Sequence, residues 1–324
     1  NLQNIRPGGV TVSEIELDTS GVERLRKMCT PRLIEVEWTM ICLEKENEII
    51  AVNDQNQTKL MQTLQEKPSK QFLEKIFTRI QRIKKDKRRE LLQNRDNKGN
   101  TALYMAVILQ KDLPVLARYI ADSYVELNIS LNEVYGKDGN SLLHIIAALG
   151  DSYAQVLADL LHVNGKNGEK AFDVNRRNNL SLTPLHVAAN SHVNNLSTLT
   201  IAQLLVKNGA LIKLQNEEGK TPLHLAIQNS CDPMFIKALL QSPHASSYVN
   251  LPDQDGNTPL HICAARNDVI FDKQKEVIMQ LVTSGASHNT HNRNGKFALS
   301  LVAPERKQEV KNLLNRKQTN LLSL

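Results

Sequence analysis

The sequence predicts an all-α solenoid of about six helix-turn-helix repeats fronted by β-turn or hairpin fingers, and three observations carry that prediction. Four stretches say nearly the same thing: Asn140-Ser-Leu-Leu-His144, Thr183-Pro-Leu-His186, Thr221-Pro-Leu-His224 and Thr258-Pro-Leu-His261, flanked by the weaker copies Thr101-Ala-Leu-Tyr104 and Phe297-Ala-Leu-Ser300. Counted from the Thr-like position, the copies are spaced by 40, 42, 38, 37 and 39 residues, the signature of a stack of small units that each bury their apolar face on a neighbour. Glycine stands two places before that position at Gly99, Gly139, Gly219, Gly256 and Gly295, where a tight turn calls for positive φ. Ser181 takes the place in the third copy, so a different turn is expected there. A second apolar segment follows the first, as in Ile201-Ala-Gln-Leu-Leu205, Phe235-Ile-Lys-Ala-Leu-Leu240 and Val277-Ile-Met-Gln-Leu-Val282.

Within each unit the residue types fit their places. Threonine at a helix start can cap exposed N–H groups, and the proline beside it sits at the first helical position, where no N–H is needed. Leu185, Ala188 and Ala189, like Leu260, Ala264 and Ala265, form a narrow apolar face for close packing of the first helices. Gly209-Ala210 and Gly285-Ala286 read as glycine stops of the second helices.

Residues 1–58 show no repeat and stay unassigned, with enough apolar side chains (Trp38, Ile41, Leu43) to fold or to dock on the repeats. Val10–Leu17 and Ile34–Trp38 alternate like strands, whereas 21–29 and 38–45 also suit helices. Over 59–95 the pattern turns helical: Phe72, Leu73, Ile76, Ile80 and Ile83 share a face, which suits amphipathic basic helices capping the open end of a solenoid. Repeats are expected over 96–316, with polar inter-repeat loops at 162–180, 190–199 and 266–274, and a tail at 317–324. The chain starts at Asn1 without methionine or signal peptide, so it is expected to be a fragment of something longer.

The formal charge of +6 invites a nucleic-acid reading until it is mapped. Eight basic residues and one acid lie between Lys75 and Arg89, so the rest of the chain is close to neutral. Cys29, Cys42, Cys231 and Cys263 have no metal spacing, and Cys263 takes a small-residue place inside a repeat helix. That usage points to a reducing compartment, nucleus or cytoplasm. No run of eighteen apolar residues marks a membrane span.

His144, His186, His224 and His261 each occupy the same place in a different repeat, so they cannot converge on one metal, and structural hydrogen bonding is expected of them. No HExxH, paired CxxC, GxxxxGK[ST] or GxSxG occurs, so no catalytic residue, metal ligand, cofactor or small-molecule substrate is expected. The run containing Lys84, Lys85, Lys87, Arg88 and Arg89 reads as a solvated helix face or as a nuclear-import signal, with direct DNA contact the weaker alternative. The turns carry the candidate partner site: Asp96, Asn97 and Lys98; Lys137 and Asp138; Asn216, Glu217 and Glu218; Asp253, Gln254 and Asp255; Asn292, Arg293 and Asn294. Taken singly each is a turn former. In a row they make a preformed groove that binds an extended protein partner without a large ordering penalty.

The Thr-Pro-Leu-His signature resembles the ankyrin repeat, a β-turn and two antiparallel helices in about 33 residues. The C-terminal third is more specific: Tyr248–His261, the loop before Lys275–Val282, Ser284-Gly-Ala-Ser287 and Phe297–Pro304 look like the last repeats of the inhibitor-of-NF-κB family, closest to its nuclear type. The large loop at 162–180 and the first 58 residues depart from that family. The resemblance implies a non-enzymatic regulator that holds a Rel-homology transcription factor through the groove and modulates transcription without direct sequence-specific DNA binding. A cytoplasmic signalling adaptor, whose groove holds a receptor-pathway scaffold or protease, is the alternative from a different class.

Overall fold

The computed structural model describes residues 50–66, 69–109, 114–192, 197–241 and 244–321, and in the last helix the side chains only to Leu314. The strand and helix readings of residues 10–45, with Cys29 and Cys42, lie outside the described residues. Two compact units divide between Leu91 and Leu92.

In the first unit, α1 (Lys59–Gln65) and α2 (Lys70–Ile80) are followed by α3 (Lys85–Gln93). Leu60, Met61 and Leu64 on α1, and Phe72, Leu73, Ile76, Phe77 and Ile80 on α2, are buried, the same α2 face that the hydrophobic spacing predicts. Thr58 caps α1 by accepting from the Met61 N–H, and Ser69 caps α2 by accepting from Phe72. These residues, which the sequence suggests as capping helices, carry the local pattern of a repeat. Asn53 Oδ1 accepts the N–H groups of Gln55 and Gln57, and Asn56 takes φ +57 in the place glycine holds elsewhere. Thr58-Lys-Leu-Met61 then stands where other copies read Thr-Pro-Leu-His.

Among the described residues the second unit holds six helix pairs. They are α4 (Ala102–Leu109) with α5 (Pro114–Glu126), then, after the short hairpin β1 (Val134–Tyr135) and β2 (Asn140–Ser141), α6 (Leu142–Leu149) with α7 (Ala154–Leu161). Next come α8 (Pro184–Ser191) with α9 (Leu199–Lys207) and α10 (Pro222–Asn229) with α11 (Pro233–Leu240). The stack closes with α12 (Pro259–Ala265) and α13 (Phe271–Thr283), then α14 (Ala298–Leu301) and α15 (Pro304–Leu321). The last helix therefore continues beyond residue 316, where the sequence places the end of the repeats.

First helices form one layer, α6 on α8, α8 on α10, α10 on α12 and α12 on α14; second helices form the other, α5 through α15 in order. Ala188, Ala189, Ala226, Cys263 and Ala264 are buried on the first-helix layer, small enough to let neighbouring backbones approach. Leu143, Leu185, Leu223 and Leu260 fill the space between, each leucine contributing about 1.5–3 kcal/mol by leaving water. At the ends of α9 and α13, Gly209 and Gly285 take φ +96 and +98, and the following alanine N–H groups bond back to Leu205 and Leu281, as the glycine-stop reading requires. Asparagines join one repeat's loop to the next, among them Asn132 to Ala171 and Asp173, Asn175 to Gly209 and Leu211, and Asn250 to Gly285 and Ser287.

One expected loop is anchored by apolar residues and another is shorter than the sequence suggests. Within 162–180, Val163, Phe172 and Val174 are buried, so that loop is anchored by its own apolar residues. Of 266–274, residues 271–274 are already helical in α13, and Gln274 is fully buried, donating to the carbonyls of Cys263 and Ala264.

Candidate partner interface

Every finger but the second is built on one polar side chain. Asp96 Oδ1 accepts the N–H groups two and four residues on, Lys98 and Asn100, at 2.9 and 2.8 Å. Asn178, Asn216, Asp253 and Asn292 repeat the arrangement with the same offsets. The residue three places on takes positive φ: Gly99, Gly219, Gly256, Gly295, and also Ser181 at φ +56. The third finger therefore keeps the common turn, contrary to expectation. Asn178 closes the same bonds, which hold serine in a conformation that side chains disfavour. The different turn belongs to the second finger, where Gly136 replaces the Asx residue and β1 pairs with β2, Val134 opposite Ser141 and Tyr135 opposite Asn140.

This construction sorts the candidate residues. Asp96, Asp253 and Asn292 are buried and Asn216 half-buried, each spent on holding its own turn. The exposed tips are Asn97 and Lys98, Lys137 and Asp138, Glu217 and Glu218, Gln254 and Asp255, Arg293 and Asn294. Asn179 and Leu180 complete the row in the third finger; sequence reasoning passed over them because no glycine marked that turn, although Asn178 three places before Ser181 gave the signal.

Backbone bonds tie neighbouring tips. Asn179 N–H donates to the Asp138 carbonyl at 2.9 Å, Gln254 to Glu218 at 3.0 Å and Arg293 to Asp255 at 3.0 Å. Glycine is required where the tips meet: a Cβ on Gly219 would lie 2.9 Å from Gln254 N, and one on Gly256 2.7 Å from Arg293 N. Beneath the tips, Gln215 donates to the Gly219 and Pro252 carbonyls, and Arg95 to those of Gly99 and Val134 and to the Glu133 carboxylate.

The four histidines lock the fingers to the helices. Nδ1 of His186 accepts the Thr183 backbone N–H at 3.1 Å, and its Nε2 faces the Lys220 carbonyl of the next finger, also at 3.1 Å. An N–H can only donate and a carbonyl only accept, so the ring is held neutral with its proton on Nε2. His144 to Leu182, His224 to Asn257 and His261 to Lys296 do the same. Burial lowers all four pKa values, those of His186 and His224 to about 4, against the opposing pull of the carbonyl bond. The rings are structural bonds between layers, as the sequence predicts.

The basic run lies in the first unit. Lys84, Lys85 and Arg89 are exposed and Lys87 half-exposed beside Glu90, but Arg88 is buried and donates to the Gln81 carbonyl. Among the described residues no helix is long and apolar enough to cross a membrane.

Residues 193–271 match the family description "Ankyrin repeats (3 copies)" and residues 255–293 match "Ankyrin repeat". The chain is 30% identical over 160 residues to the nuclear factor NF-kappa-B p105 subunit of Rattus norvegicus, covering 49% of this chain and 15% of that protein. It is 30% identical over 131 residues to the human NF-kappa-B inhibitor alpha, covering 40% of this chain and 38% of the relative, so it spans well under half of either. The fold matches the crystal structure of the ankyrin repeat domain of Bcl-3, described as a unique member of the IkappaB protein family, with TM-score 0.62 and 22% identity, over 81% of this chain and all of that one. Residues 193–293 are thus matched by ankyrin repeats, the fold of the chain is that of an ankyrin-repeat domain, and its repeats are similar to those of NF-kappa-B p105 and NF-kappa-B inhibitor alpha.

Proposed function

We propose that the chain is a non-enzymatic regulator that holds a Rel-homology transcription factor along the fingertip row and so modulates transcription in immune or stress signalling. The observation that carries the reading is the row itself. Polar tips are fixed by backbone bonds before any partner arrives, so binding orders little and the edge presents Glu217, Asp255 and Arg293 at set intervals. Likeness to p105 and inhibitor alpha supports the partner class.

The test is binding of a purified Rel-homology dimer to the full chain, by calorimetry or interferometry, beside the Glu217→Lys/Asp255→Lys variant. Both side chains are exposed, so folding is kept while the charge pattern is reversed. The expected result is micromolar or tighter binding, weakened at least about tenfold by the reversal. Failure of the unaltered chain to bind would sink the reading.

A second reading is a cytoplasmic adaptor whose row holds a receptor-pathway scaffold or protease. Burial of Arg88 favours it, because a carrier would find only Lys84, Lys85, Lys87 and Arg89 in the basic run. Nuclear accumulation lost in Lys84→Ala/Lys85→Ala/Arg89→Ala supports the nuclear regulator; unchanged distribution supports the adaptor.

A further inference from the structure

The fingertip row has a gap. The tip bonds run from Asp138 to Asn179, from Glu218 to Gln254 and from Asp255 to Arg293, always from a carbonyl to the N–H one residue past the next Asx position. By that rule the Leu180 carbonyl should accept from Glu217, and among the described residues no such bond is formed. The bridge beneath is missing too. Arg177 occupies the place of Arg95 and Gln215, immediately before the Asx residue, yet donates to no carbonyl among the described contacts and is exposed. A similar gap between the first two tips is spanned by Arg95. The gap between the third and fourth tips is spanned by no side chain among the described residues.

Ser181 supplies the cause. In the tied tips of the fourth and fifth fingers the glycine at this place faces the next backbone so closely that a Cβ would fall within 2.9 Å of it. Ser181 carries that Cβ in the same turn, at φ +56, where a tie as close as those at Gly219 and Gly256 would leave it no room. The notch has a distinct lip. Leu180 is 52% exposed, the one apolar residue among the exposed tips, with the Arg177 guanidinium on the same finger.

We infer that this notch is the specificity-determining pocket of the edge, seating an aliphatic side chain of an extended protein segment against Leu180 while an adjacent Asp or Glu pairs with Arg177. The chemistry follows from what is left unpartnered: an apolar surface in a polar row, and a cation in a place where its counterparts have carbonyls to bind. The vacant Glu217 N–H adds a donor for the segment's backbone carbonyl, so the segment occupies the bond that the third finger leaves open. The inference rests on the fingertip row being the partner-binding edge.

The test pans a random linear-peptide phage library on the full chain and on Ser181→Gly, Leu180→Asp and Arg177→Glu. Glycine holds this place in other fingers, so Ser181→Gly keeps the fold, and it should slow hydrogen exchange at the Glu217 amide by closing the gap. The unaltered chain should select peptides with an aliphatic residue beside Asp or Glu, and each variant should retain them at least about tenfold less. Selection of no peptide, equal retention by the variants, or unchanged Glu217 exchange in Ser181→Gly would overturn the inference. No Rel-homology protein enters this experiment, so its failure and that of the proposed partner class are read separately.

Discussion

Lowering the pH from 7.5 to 5.0 should strip stability from the repeats through the histidine rungs. His186 and His224 have folded pKa values of about 4, against 6.5 for an unhindered ring. A value lowered by folding means that the unfolded chain binds protons first. The stabilisation is therefore complete above pH 6.5 and is lost as the pH falls towards 4. At pH 5.0 an unfolded ring is almost fully protonated while a buried one is about nine-tenths neutral, a difference of about 2 kcal/mol for each ring and about 4 kcal/mol for the two. His144 and His261 shift the same way and add to the loss. Glu133 works against it, because burial raises its carboxyl and acid relieves that strain. Urea unfolding at fixed ionic strength, followed by far-ultraviolet circular dichroism, should register the drop. In His186→Gln/His224→Gln the protein should be less stable at pH 7.5, but the further loss on acidification should shrink by about 4 kcal/mol. Cε1 resonances of His186 and His224 that titrate near pH 6.5 in the folded chain, or an identical acid loss in the double variant, would refute the reasoning.

Three other outcomes follow from the fingers and the core. Gly256→Ala places a Cβ 2.7 Å from Arg293 N at φ +78, whereas Gly99→Ala, at φ +80, meets nothing within 4 Å. Thermal unfolding should therefore show about 2–4 kcal/mol lost in the first and about 1 kcal/mol in the second. Asn53→Ala removes the acceptor for two backbone N–H groups and should destabilise the first unit by about 1–2 kcal/mol, seen as faster amide exchange over α1. Tyr124→Phe leaves the Leu92 carbonyl without the hydroxyl that donates to it at 2.6 Å in a buried site, and should lower the urea midpoint by the equivalent of about 1–3 kcal/mol.

What the sequence conveyed was whatever the repeat spells with unusual residues. Thr-Pro-Leu-His fixes a cap, a first turn, a core leucine and a rung, and each of the four jobs is visible where the letters stand. The unit at residues 53–80 stayed hidden because its jobs are done by substitutes. Asn56 reaches positive φ in place of glycine, Lys59 needs no proline to start a helix, and Met61 fills volume where a ring would bond. The spacing Asn-x-x-Asn-x-Thr was present, but read as composition it looks like loop. Ser181 misled for the opposite reason. A serine seemed to forbid the turn, yet two bonds to Asn178 Oδ1 outweigh the strain, so Leu180 went unnoticed as a tip. Arg88 shows where one-dimensional charge counting ends, since its side chain turns inward to Gln81 while Lys84, Lys85 and Arg89 face water.

The rungs all point one way. Every ring hands its proton towards the C-terminal neighbour, and Phe297-Ala-Leu-Ser300 offers no ring to continue the series. Trimming the stack from its tail would therefore orphan a buried imidazole donor, whereas trimming from its head frees only a carbonyl that water can serve. The array has a fragile end and a tolerant one, a polarity written by a tautomer.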